Sequence, residues 1–588
     1  LDHLNKFTLD IIKITGRNVD KNRTWEFTRY IPETDLYLES YEIILKDIIT
    51  DLSQYAPNKE ASATLAYIQK ALYMLDELRE EPDDLPLYLE NLSTGSGSVA
   101  QMLGDSIQML SDQPLSLDGF IIYNKDEVKA PKANVFVKTW ASLKSFFASF
   151  NSNKYNVRTS EEFVDVWVNK PITYVDIMQK MVESEFTPKT GIKVNTSVMP
   201  DPNKLILAAA ANEAPDVALG LPSYMPYDFA IRNASYDLTQ FDDFWEFAGN
   251  FAPGAFVPYV LNDGVYGLPE SLDFNAIIYR KDTFDSLGLE VPDTWDEIID
   301  ILPVLQRYGM NFYHPIAGGA STKWFYQTSA FIYQYGGNIY SEDGLSATID
   351  SPEASKGLEF LTSLFRSYSL PEQVGSFYNS FRYNELPIGI VDFTTYLQIK
   401  NAAPELIGQW ALADNPGTVR SDGTIDRSYI ANGTAGIILK GSNQEEESWK
   451  FLKWWMSEET QSNFAFTLQS TYGPEYVWLS GNIEAFKNSP IEAQDKEVIL
   501  RQIEWLVDVP RTPGQYMLER GLSDIWNKGV YDGVATGVAI DNQVIVINRE
   551  IRRKMIEFGF LDVDGSVKKE YVIRDVDWIR EQIEKARK

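Results

Sequence analysis

Apolar residues recur at two different spacings along this chain, and the change of spacing divides it. Over the first quarter the spacing is helical. Leu38, Tyr41, Leu45, Ile48 and Leu52 repeat every three or four positions, as do Leu65, Ile68, Leu72 and Leu75, which predicts amphipathic helices. The polar run STGSGS (93–98) predicts a break, and GFIIYN (119–124) a short strand. Phe136, Trp140, Leu143, Phe147 and Phe150 form a further helical stripe. Lys138 and Lys144 are too few to give it the basic face of a membrane-surface helix, so it is read as core.

After the polar stretch NSNKYNVRTSEE (151–162) strand and helix patterns alternate. FVDVWV (163–168) predicts a strand, 173–191 an amphipathic helix ending near Gly191, and IKVNTSVM (192–199) a second strand. A helix over 203–213 and a strand over 216–221 complete a β-α-β-α-β succession, which implies parallel strands with helical crossovers. Later helices carry start signals. Thr294 and Glu297 form a capping box pattern, and Pro303 is expected to bend the helix they open. Ser351-Pro352 opens another helix. Ser442 with Glu445 predicts the start of a third, whose face carries Trp449, Leu452 and Trp455.

Composition narrows the chemistry. The 588 residues exceed one hydrophobic core, so two to four units are expected. With no cysteine and only His3 and His314, thiolate catalysis, disulfides and histidine-rich metal centres are out of reach. His314 is read as a packed or surface residue. The net charge of −31 opposes phosphate backbones and anionic membranes, so no nucleic-acid partner is expected. No stretch approaches the ~20 apolar residues of a membrane span. The opening LDHLNKFTLD is no signal peptide, so an export and lipid-anchoring segment is expected to have been removed, or the chain to continue before Leu1. Phosphate-loop, dinucleotide and hydrolase-elbow motifs are missing, and no cofactor is expected. DVDGSVKKE (562–570) fits a calcium loop poorly and is read as a turn. Aromatic residues make up 13% of the chain, enough to fill cores and still stack on sugar faces.

Several segments then occur in a particular order: VDVWVN with FTPKTGIKV, LAAAANEAPDVALG, YDLTQFDDF, GVYGLPESLDFNAIIYRKDTFDSLGLEVPDTWDEI, IYQYGGNIYSEDG, SPEASKGLEFL, LPIGIVDF and NGTAGIIL. From about residue 163 the chain thereby resembles the family 1 extracellular solute-binding proteins, the group that includes maltose-binding protein. The resemblance implies an α/β, periplasmic-binding-protein-like fold: two α/β lobes with parallel sheets, joined by hinge strands and closing on ligand. The first lobe would hold 159–272 and 435–480, the second 273–434 and 481–588. Residues 1–158 look like the mainly helical N-terminal extension of large Gram-positive members.

What the resemblance implies for the site is also residue by residue. Asp273 matches a position where relatives place a carboxylate that accepts sugar hydroxyls; a structural cap is the alternative. Trp324, Phe325 and Tyr326 lie where the family stacks an aromatic on a sugar ring. Asp392, Phe393 and Tyr396 match a segment with an aromatic platform and polar contacts. Tyr224 follows a cleft-facing strand, and Asn169 and Lys170 follow the first strand, where Pro171 and Ile172 depart from the maltose-type pattern. Tyr516 could supply another aromatic. Trp167, Trp295 and Trp449 are assigned to core. The implied function is capture of an oligosaccharide by a monomer on the cell surface and delivery to the permease subunits of an ABC importer. A glycoside-active enzyme using paired carboxylates and a non-transport glycan-binding protein are the alternatives.

Overall fold

The computed structural model describes residues 2–111 and 163–588, apart from 16–18, 20–22, 56–62, 95–97, 200, 212, 318–321, 404–405, 442–443 and 474–475. The strand expected over 119–124 and the stripe from Phe136 to Phe150 lie outside the described residues.

The helical spacing of the first quarter becomes helices α1 (Asp2–Thr15), α2 (Thr34–Tyr55), α3 (Ala63–Glu80) and α4 (Val99–Ser111). They share a core of their own, which takes in Leu38, Leu45, Ile68 and Leu75; Leu65 is buried as well. Ile48, from the same stripe, stays 37% exposed. Arg79 on α3 ties the bundle together across its edge, reaching Asp35 (3.0 Å), Glu39 (3.2 Å) and Glu42 (3.4 Å) on α2.

Beyond residue 163 two sheets organise two lobes. The first contains β1 (Val164–Val168), β2 (Val194–Val198) and β3 (Val217–Pro222). A short hairpin, β4 (Val260–Leu261) and β5 (Gly264–Val265), precedes β6 (Leu268–Leu272). The second lobe holds β7 (Ala276–Arg280), β8 (Phe312–Tyr313), β9 (Ile388–Val391) and β10 (Trp410–Ala413), with the small hairpin β11 (Thr418–Val419) and β12 (Ile425–Asp426) beside it. β13 (Gly433–Ile438) returns to the first sheet, whose order is β2-β1-β3-β13-β6; the second runs β10-β7-β9-β8.

The expected parallel strands are present, since β1 pairs in parallel with both β2 and β3. The sheets as wholes are mixed, which corrects the expectation of parallel ones. β13 is antiparallel to β3 and β6, and in the second sheet only β8 and β9 run parallel. The reason is the route of the chain. β3 ends at Pro222, where its loop meets the other lobe, whereas β13 enters from that lobe and must run the opposite way. The chain crosses between lobes at three neighbouring places, tied by Asp273 N–H donating to Asn432 O (2.7 Å) and Leu272 N–H to Leu479 O (3.3 Å).

Local sequence accounts for the helix ends. The helix from Ile172 widens to a π turn over Val182–Phe186, because Pro188 has no N–H to return to the Ser184 carbonyl. It stops where Gly191 adopts φ 74°. The Thr294–Glu297 capping box is formed, and the helix runs through Pro303 to Arg307. Ser351 caps its helix through Ala354 N–H. In the third helix, Glu445–Trp455, Gln444 stands at the N-cap and Ser442 lies outside the described residues; Trp449, Leu452 and Trp455 are buried as the spacing requires. Trp295 is also buried, and Trp167 packs partly buried against the first lobe's core. The last helix, Val576–Ala586, buries Ile579 and Ile583 in the first lobe's core, a placement that a division at 481 does not anticipate.

Candidate functional site

The cleft is built where strand ends of the first lobe face helix starts of the second. One part, of about 510 Å³, is lined by Asn169, Lys170, Pro222, Ser223 and Tyr224 from the first lobe. Phe325, Tyr326, Asp508, Arg511 and Glu519 of the second lobe face them. A second part, of about 370 Å³, is lined by Lys170, Tyr174, Asp273, Phe393 and Trp478. The two parts share Lys170 and the crossing segment Asn432–Thr434.

The first-lobe wall is rigid for identifiable reasons. Asn169 is fixed by its N–H to Leu219 O (3.0 Å) and its Nδ2 to Gly220 O (3.1 Å). This approach requires glycine at 220: a Cβ there would lie 2.8 Å from the Asn169 carbonyl oxygen, and φ is +72°. Beneath them the buried Glu270 carboxylate accepts from Gly220 N–H (2.7 Å), Trp455 Nε1–H (3.0 Å) and Thr434 Oγ1 (3.2 Å). The Lys170 ammonium stands 5.0 Å over the Trp478 ring. Tyr224 is 43% exposed, with the Arg511 guanidinium 6.0 Å from its ring.

The second-lobe wall carries rings and carboxylates. Phe325 and Tyr326 open the helix Phe325–Gln334, and Trp324 stacks on Tyr326 at 5.4 Å between centroids. Trp324 thus braces a ring of the cleft wall and is not itself among the lining residues. Asp273 accepts N–H bonds from Phe274 (2.8 Å) and Phe393 (3.0 Å). Burial, reinforced by the nearby Asp392 charge, still pushes its carboxyl up to about 7. Asp392 caps the helix Phe393–Ala402 through Thr395 N–H (2.9 Å). Asp508 is pushed up to about 6 by burial, against the pull of Arg511 and of Val509 N–H.

The structure therefore brings Asn169, Lys170, Tyr224, Asp273, Phe325, Tyr326 and Phe393 together around one cleft. It sets Tyr396 elsewhere, fully buried in the second lobe, where its hydroxyl donates to Asp495 (2.7 Å). Tyr516 projects from the helix Gln515–Val530 at 73% exposure and lines neither part. His314 is buried among Trp295, Phe331 and Phe365, and burial holds it neutral, down to about 3. Sequence reasoning missed Asn432–Thr434, Trp478 and the Asp508–Arg511 turn. The available signals were the glycine before the strand AGIIL and the proline between Asp508 and Arg511. Among the described residues no group of histidine and acidic side chains is placed to hold a metal, and no helix is long and apolar enough to cross a membrane.

The description "Bacterial extracellular solute-binding protein" matches residues 169–462, the span that contains two of the three lobe crossings and most of the cleft. The chain belongs to that family. Residues 1–110 match the "Bacterial solute-binding protein, 4-helix bundle domain", which accounts for the helices ahead of the clamp. This solute-binding protein is 25% identical to a putative binding protein of Brucella abortus over 302 residues, 50% of this chain and 70% of the relative. It is 22% identical to the multiple sugar-binding protein of Streptococcus mutans over 157 residues, 26% and 36% of the two chains. Among solved structures it is similar to the sugar-binding protein MalE of Xanthomonas citri (TM-score 0.57, 18% identity, 67% of this chain and 99% of that one). It also resembles the cyclic α-maltosyl-1,6-maltose binding protein of Arthrobacter globiformis (TM-score 0.53, 18% identity, 66% and 99%). These likenesses fix the two-lobed periplasmic-binding-protein fold. By its family this chain is an extracellular solute-binding protein and not an enzyme.

Proposed function

We propose that this solute-binding protein captures an oligosaccharide between its two lobes and delivers it to the permease subunits of an ABC importer. It acts as a monomer at the surface of a Gram-positive cell, held there by a lipid anchor. The lobes are 159–272 with 435–480, and 273–434 with 481–588, the last helix excepted because its apolar face belongs to the first.

The observation that carries this reading is the set of rings on both walls of one cleft: Tyr224, Tyr174 and Trp478 opposite Phe325, Tyr326 and Phe393. Rings offer flat apolar area to the C–H faces of sugars, while the polar groups between them meet hydroxyls. Asn169 and Lys170 supply donors, and Asp273, which lines the same part of the cleft as Lys170, supplies an acceptor. Asp392 acts through Asp273, and Trp324 acts through Tyr326. The sugar-binding name of the Streptococcus mutans relative and those of the two structural neighbours agree with this reading.

Titration calorimetry with maltotriose, cellotriose, xylotriose and raffinose checks it. At least one should bind reversibly, and Tyr326→Ala should weaken that binding tenfold or more while Tyr516→Ala leaves it unchanged. The reading fails if none of the sugars binds and a non-sugar solute raises the thermal midpoint instead.

A further inference from the structure

The chain does not finish in the second lobe. After the helix Thr536–Glu557, which packs against Gln515–Val530, residues 560–588 leave that lobe and end in the first lobe's core. Between those ends the segment lies in the seam. Its residues bond alternately to opposite sides: Val572 N–H donates to Asn262 Oδ1 of the β4–β5 hairpin (3.0 Å), and Ile573 N–H donates to Glu342 O of the second lobe (2.8 Å). Arg574 then grips Asp263 of the hairpin through Nε (3.0 Å) and Nη2 (2.6 Å). Trp578 packs edge-on to Trp245 (5.5 Å), and Arg587 Nη2 donates to Gly249 O (2.8 Å).

Tyr571 is where both lobes meet. Its ring packs on Phe560 (5.0 Å) and sits over Gly344, where any Cβ would come within 2.6 Å of it. Its hydroxyl donates to the Arg511 carbonyl (2.6 Å) and stands 2.7 Å from the Tyr227 hydroxyl. Arg511 is a lining residue of the second-lobe wall. Tyr227 lies one helical turn behind Tyr224, a lining residue of the first. The bridge therefore joins a lining residue of one wall to the residue one helical turn behind a lining residue of the other. Parting of the two walls must stretch it.

We propose that residues 560–588 form a strap that limits how far the two lobes part, with Tyr571 and Arg574 as its fastenings. Opening beyond the present angle separates Tyr227 from Tyr571, or draws the strap off Arg511 or off the hairpin. The strap sets the resting width of the cleft in the free protein, whichever solute it binds.

The absence of cysteine from the chain makes the test direct. Nitroxide labels on Lys204→Cys in the first lobe and Arg520→Cys in the second report the distance between lobes by pulsed electron resonance, without ligand. Adding Tyr571→Phe and Arg574→Ala together should lengthen the mean distance by several ångström and broaden its distribution. Asp263→Asn, which leaves the strap's own sequence intact, should shift it the same way by less. Circular dichroism and the thermal midpoint identify any variant that has lost its fold, and Asp263→Asn then decides. An unchanged or shortened distance in the folded variants overturns the proposal.

Discussion

Two carboxylates three residues apart, on either side of one lobe crossing, have opposite characters. Glu270 belongs to the first lobe and takes three donors from three separate segments. Asp273 stands at the start of the second lobe and takes two backbone N–H groups while facing Asp392. The difference shows how a binding cleft is made. A carboxylate whose acceptor sites are filled by the protein is scaffold, and one left short of donors is available to hydroxyls brought by a ligand.

The largest effect should come from breaking the scaffold member. Glu270→Ala leaves Gly220 N–H and Trp455 Nε1–H unpaired inside the first lobe. Each orphaned donor costs about 1–3 kcal/mol, so about 3–5 kcal/mol of stability should be lost. The thermal midpoint should fall by several degrees, and Glu270→Gln, which keeps acceptors in place, should recover part of the loss. Equal midpoints for wild type and Glu270→Ala would mean that the three bonds contribute nothing net.

Asp273 should behave the other way round. Its carboxyl titrates near 7 in the folded protein against an ordinary 3.8, so the native state binds the proton more tightly than the unfolded chain. That preference stabilises the fold below pH 4 and is lost as pH rises towards 7, after which the full penalty persists. Asp273→Asn removes the charge and so should stabilise the protein above pH 7, with no gain at pH 4. The ceiling is about 4 kcal/mol, at 1.4 kcal/mol per tenfold change in proton affinity, and partial exposure brings the expected gain to about 2. Midpoints measured across this window decide it; a variant less stable than wild type at pH 8 contradicts the assignment.

The contrast between these two residues was not legible in the sequence, whereas much of the fold was. Stripes such as Leu65–Leu75 and the order of segments from 163 onward are local patterns, and local patterns survive without knowledge of the third dimension. The helices of the first quarter, the β-α-β-α-β run and the helices opened at Thr294 and Ser351 were read that way. Asp273, Tyr224 and Tyr326 were reached through family resemblance, not through spacing. Tyr396 was misplaced because an aromatic on a helix is equally compatible with core and cleft, and only its bond to Asp495 separates the two. Trp478 and Arg511 were missed because the cleft is assembled across some 340 residues by hinge crossings that leave no periodic signature. Sheet direction failed for the same cause: β13 reads as an ordinary strand, and its reversal comes from the lobe it returns from.

Asp508 offers the finest test of what donors and charge do to a buried acid. It is more deeply buried than Asp273, yet its carboxyl rises only to about 6, because the Arg511 charge and Val509 N–H favour ionisation. The folded state again holds the proton more tightly than the unfolded chain. The penalty therefore develops between pH 4 and 6 and is constant above. Asp508→Asn relieves it but deprives Arg511, which is 12% exposed, of a neighbouring negative charge, leaving Glu519 at 3.5 Å as its carboxylate partner. The two changes oppose each other, so the gain above pH 6 should be about 1 kcal/mol, smaller than for Asp273→Asn. It should appear one pH unit lower, as a small rise in midpoint between pH 5 and 6. If the two variants gave equal gains over the same window, the nearby guanidinium would be doing nothing for Asp508.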